Sequence, residues 1–179
     1  MTRFVALLRG INVGGNTKVP MAELRSLCEK IGWTGVATYI QSGNVIFSAS
    51  GSASDQERKV ESAIEDGFGF PVTVLVRSGP DWSALVASNP FEEAARLEPN
   101  RLMLCPSKQP PNPDSEQALQ ARARDGEQVR LVGQALWIHY PEGFGTSKLS
   151  PSLINRLVGS PVTARNWRTA VTLQQMLEE

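Results

Sequence analysis

The chain has 179 residues, with 18 Lys plus Arg balanced by 18 Asp plus Glu, and 41% of it is hydrophobic. That is ample for a packed core and suits one large domain or two small ones sharing an interface. Electrical neutrality argues against a dedicated non-specific nucleic-acid binder, which carries a basic surface. No apolar run approaches the roughly eighteen residues of a membrane span. Residues 1–8 carry too short an apolar stretch for a secretion signal, and no small-residue cleavage site follows. Cys28 and Cys105 lie far apart among apolar residues, so buried free thiols are expected rather than a disulfide or a metal site. A cytoplasmic location follows from these features.

In chain order, Phe4 to Leu8 is a continuous apolar run that predicts a strand buried on both faces. Pro20 suits the first position of a helix carrying Leu24, Leu27, Cys28 and Ile31, with Gly32 as its stop. Val36 to Ile40 and Val45 to Phe47 predict strands joined by a tight turn at Gln41-Ser42-Gly43-Asn44. Ser54 or Asp55 can cap a helix through Val60, Ala63 and Ile64 that ends near Gly67 to Gly69. Pro71 then leads into a strand over residues 72–76, and residues 80–88 predict a connecting helix broken at Asn89-Pro90-Phe91. Leu102 to Cys105 reads as a strand, Asp114 to Arg124 as a helix, and residues 129–132 and 135–140 as a hairpin across Gly133-Gln134. Ser150 caps a helix opened by Pro151. Val162 to Ala164 predicts a short last strand, and Asn166 to Leu177 a terminal helix.

The order β-α-β-β-α-β therefore occurs twice. The expected class is α+β, with two tandem ferredoxin-like units in which two helices cover one face of a four-stranded antiparallel sheet. The expected divisions are residues 1–79, a connecting segment over 80–98, and residues 99–179 with the C-terminal helix. Two such units leave two bare sheet faces to meet each other, a ligand, a partner or water.

The candidate chemistry sits where apolar runs end in Gly, Asn and Ser. Residues 1–22 contain Arg3, Arg9 and Lys18 and no carboxylate; residues 143–177 contain Lys148, Arg156, Arg165 and Arg168, again with none. If these segments meet, they form a local basic concavity. Gly10, Gly14 and Gly15 permit close backbone approach, and the helix beginning near Pro20 directs unpaired N–H groups toward the loop. Gly14-Gly15 equally makes a plain turn, and the loop has neither P-loop nor dinucleotide-fingerprint spacing. Gln41-Ser42-Gly43-Asn44 is first a hairpin turn, but that turn does not need Gln41 and Ser42, which leaves room for ligand contacts. Lys148 stands in a loop with Gly143, Gly145, Thr146 and Ser147. Arg165 is placed on a loop before the last helix, with Asn166 as that helix's cap and Trp167 as a packing anchor.

No catalytic constellation assembles. The sole histidine, His139, is expected on a sheet face, no cluster has metal-ligand spacing, and Ser42 lacks the G-x-S-x-G context of a nucleophile elbow. Glu57, Glu61 and Glu65, at four-residue steps, read as a wet helix face.

The segments Leu7-Leu8-Arg9-Gly10-Ile11-Asn12-Val13-Gly14-Gly15, Val19-Pro20-Met21-Ala22-Glu23-Leu24, Thr38-Tyr39-Ile40-Gln41-Ser42-Gly43-Asn44-Val45 and Asn89-Pro90-Phe91 resemble the DUF1697 family of bacterial proteins. So do Ser147-Lys148-Leu149 and Thr163-Ala164-Arg165-Asn166-Trp167-Arg168-Thr169. The likeness runs from residue 4 to residue 173. It implies a pair of ferredoxin-like domains and carries no established activity, cofactor or catalytic residue. Arg168 departs from the Asn expected before the last Thr of the Arg-Asn-Trp motif, which adds a cation beside Arg165.

The function expected from the residues is binding of a phosphorylated or carboxylated small molecule. Its candidate contacts are Arg9, Gly10, Asn12, Gly14, Gly15, Lys18, Gln41, Ser42, Asn44, Lys148, Arg165 and Asn166. The alternatives are RNA binding on a ferredoxin-like sheet face, with Tyr39, Phe47, Trp137 and Tyr140 as its aromatic residues, and a protein-interaction scaffold, including a homo-oligomer. Enzymatic activity is left open.

Overall fold

Apolar runs too short for helices build the central strands, and helical spacing of buried residues places a helix after each outer crossover. The computed structural model describes residues 1–179 as a mixed α+β protein with two four-stranded antiparallel sheets and seven helices. It divides into two units, Met1–Ser83 with Leu173–Glu179, and Ala84–Thr172. No helix is long and apolar enough to cross a membrane.

The first unit runs β1 (Thr2–Leu8), α1 (Met21–Lys30), β2 (Thr34–Tyr39), β3 (Asn44–Ala49), α2 (Ala53–Phe68) and β4 (Val74–Ser78), followed by the start of α3 (Gly79–Ala87). Its strand order is β2-β3-β1-β4. Alternate residues Phe4, Ala6 and Leu8 of β1 join Val45, Phe47, Val74 and Val76 in one core with Leu24, Cys28, Val60 and Ile64 of the helices. Trp33 stacks on Phe47 with ring centroids 3.4 Å apart, and its indole N–H donates to Gln56 Oε1 at 2.8 Å. The residues of the other face, Val5, Leu7, Ile46 and Leu75, are equally buried. That face is not bare.

The second unit holds α4 (Glu92–Leu97), β5 (Leu102–Cys105), α5 (Ser115–Gln120), β6 (Gln128–Val132), β7 (Ala135–His139), α6 (Pro151–Val158), β8 (Arg165–Asn166) and the start of α7 (Trp167–Glu178). Its strand order is β6-β7-β5-β8. Met103, Leu136 and Ile138 face Leu119, Ile154 and Val158. On the opposite face Trp137 is buried, its ring 5.9 Å from that of Trp167 and its Nε1–H bonded to Ser88 Oγ.

Several local expectations are corrected. Pro20 is the N-cap of α1 rather than its first helical residue. Ser52, not Ser54 or Asp55, caps α2: its Oγ accepts from Asp55 N while Asp55 reaches back to Ser52 N, a reciprocal capping box. Helix α5 stops at Gln120 because Glu127 gathers the N–H groups of Arg124 and Asp125 into a turn. The connecting segment holds two helices, since α4 follows the break at Asn89-Pro90-Phe91. Val162 makes only an isolated bridge to Ser107, and the ladder with β5 forms later, at Arg165 and Asn166. Pro106, lacking an N–H, sits between the two pairings.

Glu57 and Glu61 do not lie on a wet face. Glu57 is buried and its Oε1 accepts from Val76 N at 2.9 Å, while Glu61 Oε1 accepts from Val74 N at 2.9 Å. Only Glu65 is exposed, as expected.

Candidate cleft at the end of the first sheet

Beyond Leu8 the chain leaves the sheet and returns as α1 after a loop whose ends are pinned by buried Ile11 and Val19. Three bonds close the loop on itself. Asn12 N donates to Thr17 O at 3.0 Å, Thr17 Oγ1 donates to Gly10 O at 3.1 Å, and Val19 N donates to Asn12 Oδ1 at 2.9 Å. The Asn12 amide nitrogen then donates twice, to Val19 O at 3.1 Å and, across to the β2–β3 turn, to Gln41 O at 2.8 Å. Asn12 has φ +56°, a left-handed conformation that Asn tolerates better than most residues.

The facing turn is equally specific. Gly43, at φ +90°, lies so close to the end of β1 that a Cβ there would stand 2.8 Å from Leu8 Cβ and 2.7 Å from Ile11 Cδ1. Its carbonyl accepts from Leu8 N at 2.8 Å. Ile40 adopts φ +51°, a conformation costly for a β-branched residue. Asn12 and Ile40 are the two non-glycine residues of the chain at positive φ. Asn12 and the residue after Ile40, Gln41, border the same space.

That space is an open cleft of about 510 Å³ lined by Asn12, Gly14, Gly15, Lys18, Val19, Pro20 and Gln41. Five expected contact residues, Asn12, Gly14, Gly15, Lys18 and Gln41, are thus brought together. Lys18 is the charged side chain of the lining, and Gly14 and Gly15 present bare backbone with nothing within 4 Å of their missing Cβ positions. Pro20 gives α1 no side-chain cap, so the positive end of the helix opens beside the cleft without a competing side-chain oxygen.

The other expected residues at this site stand as follows. Asn44 is fully buried in β3, paired with Leu7, and its amide donates to Tyr39 O at 3.0 Å and Ser42 Oγ at 3.2 Å, so it shapes the turn. Ser42 is likewise engaged in that turn. Asn12 spends its carboxamide on backbone groups and acts as a brace. Arg9 is half-buried, with its N–H on Thr73 O, and Gly10 is exposed at φ +71°. Val19 and Pro20 were not anticipated as lining, although their position between Lys18 and the helix start was a usable signal.

The model of a family described as "Protein of unknown function (DUF1697)" matches residues 1–137, most of the chain and all of the cleft. The chain belongs to the DUF1697 family. This DUF1697 protein is also similar to a solved structure of a conserved bacterial protein from Streptococcus pneumoniae, at 25% identity and TM-score 0.71 over 100% of this chain and 99% of that one. No curated protein matches it.

In the second unit of the DUF1697 chain, the remaining expected residues stand as follows. Lys148 is exposed. Arg165 is not on an open loop: it is buried in β8, where its guanidinium donates to Thr163 Oγ1 at 2.7 Å and Ala164 O at 3.0 Å, and desolvation lowers its pKa to about 10. Asn166 Oδ1 accepts from Thr169 N at 2.9 Å, the expected helix cap, while Arg168 reaches Asn100 Oδ1. His139 lies on β7 as expected, with Nε2 3.4 Å from Glu98 Oε1. It borders a second cleft of about 500 Å³ with Phe91, Glu92, Glu93 and Leu97, which none of the expected contact residues lines. The acidic run after Asn89-Pro90-Phe91 was its one visible mark.

Proposed function

We propose that this protein binds a phosphorylated or carboxylated small molecule in the cleft of its first unit. One observation carries the proposal: Gly14, Gly15, Lys18 and Gln41, residue types suited to an anion, line a single cavity beside the uncapped start of α1. The helix end favours an anion by only about 0.3–1 kcal/mol. The Lys18 ammonium, the Gln41 amide and the loop N–H groups supply the remainder.

The same reading takes the two units as tandem ferredoxin-like domains, supported by the repeated element order and the identical strand order of the sheets. A cytoplasmic setting is supported by two free, buried thiols. The sheet-face RNA alternative is not favoured, because Phe47, Trp137 and Tyr140 are buried and cannot stack on bases.

The test is a thermal-unfolding screen with inorganic phosphate, pyrophosphate, nucleotides, sugar phosphates and dicarboxylates at fixed ionic strength. A ligand at about a hundred times its dissociation constant adds roughly 2.7 kcal/mol, or about 5–11 °C for a chain of this size. The expected result is a shift with one anionic class that Lys18→Ala abolishes. No shift from any anion, or a shift indifferent to Lys18→Ala, overturns the proposal.

A further inference from the structure

We infer that Asn12 is the positioning residue of this cleft: a latch that holds the Gly10–Lys18 loop and the Ile40–Gly43 turn at the separation an anion requires. The inference rests on the anion-binding reading above and assigns Asn12 a role in it without ligand contact.

The carboxamide of Asn12 makes three bonds. Two form a reciprocal pair with the N–H and C=O of Val19, as a neighbouring strand would, at 2.9 and 3.1 Å. The third, at 2.8 Å, ends on Gln41 O, the residue after strained Ile40. The loop side of the cleft is therefore fixed through Val19, and the turn side through Gln41. Left-handed backbone in a β-branched residue persists only where surrounding structure over-determines it, and the bond to Gln41 O is part of that determination. Lys18 precedes Val19 and the Gln41 side chain issues from the latched residue, so one amide sets where both ligand-facing groups begin. The Asn12 side chain thus ties its own left-handed turn to the residue that follows strained Ile40, as a preorganised site requires.

Asn is specifically required. Asp retains an acceptor for Val19 N but loses both donors, and it sets a carboxylate against two carbonyl oxygens. Protonation of that carboxylate restores one O–H donor. Gly keeps the positive φ and removes every side-chain bond.

The experiment follows the amide resonances of Gly14 and Gly15 while sulfate, a dianion throughout the pH range used, is added to wild type, Asn12→Asp, Asn12→Gly and Lys18→Ala. At about pH 7.5, wild type is expected to show a saturable shift. Asn12→Asp and Asn12→Gly are expected to bind about tenfold more weakly or worse, as loss of hydrogen bonds holding the two sides implies. At about pH 4, near the ordinary Asp value, Asn12→Asp should recover affinity relative to wild type at the same pH, and Asn12→Gly should not. A merely structural Asn12 would not give a recovery confined to one variant. Saturable wild-type binding with Asn12→Gly unchanged, or Asn12→Asp weakened without recovery on acidification, overturns the latch and leaves the cleft reading standing. No saturable wild-type shift, or equal binding by Lys18→Ala, overturns both.

Discussion

The carboxylate of Glu57 accepts the backbone N–H of Val76 at 2.9 Å, so a helix side chain occupies a bonding position that a fifth strand would take. Glu61, one turn later on α2, does the same for Val74. These residues close the outer edge of β4, the last strand of its sheet. The second unit repeats the device from a different helix: Glu116 and Gln120 of α5 accept from Leu131 and Val129 of β6, also an edge strand. Exposed rows of strand N–H groups are templates for aggregation, and four-residue helical spacing matches alternate residues of a strand closely enough to fill two of them.

Removing that cover has a cost. Glu57→Ala leaves the N–H of buried Val76 without its acceptor and is expected to destabilise the protein by about 1–3 kcal/mol. Glu57→Gln, which keeps an oxygen there, should lose less. Urea denaturation of both variants decides it. Equal losses would show that the carboxylate charge, 3.7 Å from the Arg77 guanidinium, and not acceptance from Val76, is what matters.

Gly43→Ala combines a left-handed backbone with a Cβ inside contact distance of Leu8 and Ile11. The expected destabilisation is about 2–4 kcal/mol, read by chemical denaturation. Gly14→Ala, whose Cβ would meet nothing within 4 Å, should fold as well as the parent. A comparable loss in both would mean that the close approach at Gly43 is unimportant.

Acid should weaken the start of α2. Hydrogen bonds from Ser52, side chain and then backbone, together with neighbouring Arg58, hold Asp55 below its ordinary value. A folded value below the unfolded one means that the stabilisation is fully present above about pH 4 and lost as pH falls through the folded value. Asp55→Asn should therefore be less stable than the parent at neutral pH, and the gap should close on acidification. A gap independent of pH would refute the linkage.

Both thiols should be inert in the folded chain. Burial pushes Cys28 and Cys105 up to about 12, with Glu29 adding to the effect at Cys28. At about pH 8, alkylation should modify neither until denaturant is added, with mass spectrometry as the readout. Rapid native labelling of one would show that its cover opens.

The fold was largely legible because strand runs and helix periodicities of this chain are strong and well punctuated. Leu102 to Cys105 and the Ser150-Pro151 cap fall where spacing places them. The cleft was legible in residue type: Lys18, Gly14, Gly15 and Gln41 meet. Tertiary demands hid the rest. Nothing local marks Glu57 as buried, since its partner is a strand N–H nineteen residues away. Arg165 is expected at the surface because charge ordinarily avoids the interior, whereas its strand carries it into the sheet opposite Leu104. Asn12 and Asn44 carry the amide chemistry a ligand would use, but neighbouring carbonyls and the Ser42 hydroxyl take it up.

The first unit includes Leu173–Glu179, and Arg3, at its other end, donates through Nη2 to Met176 O at 3.0 Å. During synthesis, the strands that form the cleft emerge long before the piece that completes their unit. The second unit can assemble from a contiguous stretch as it leaves the ribosome. The first receives Leu173–Glu179 only after residues 84–172 have been made.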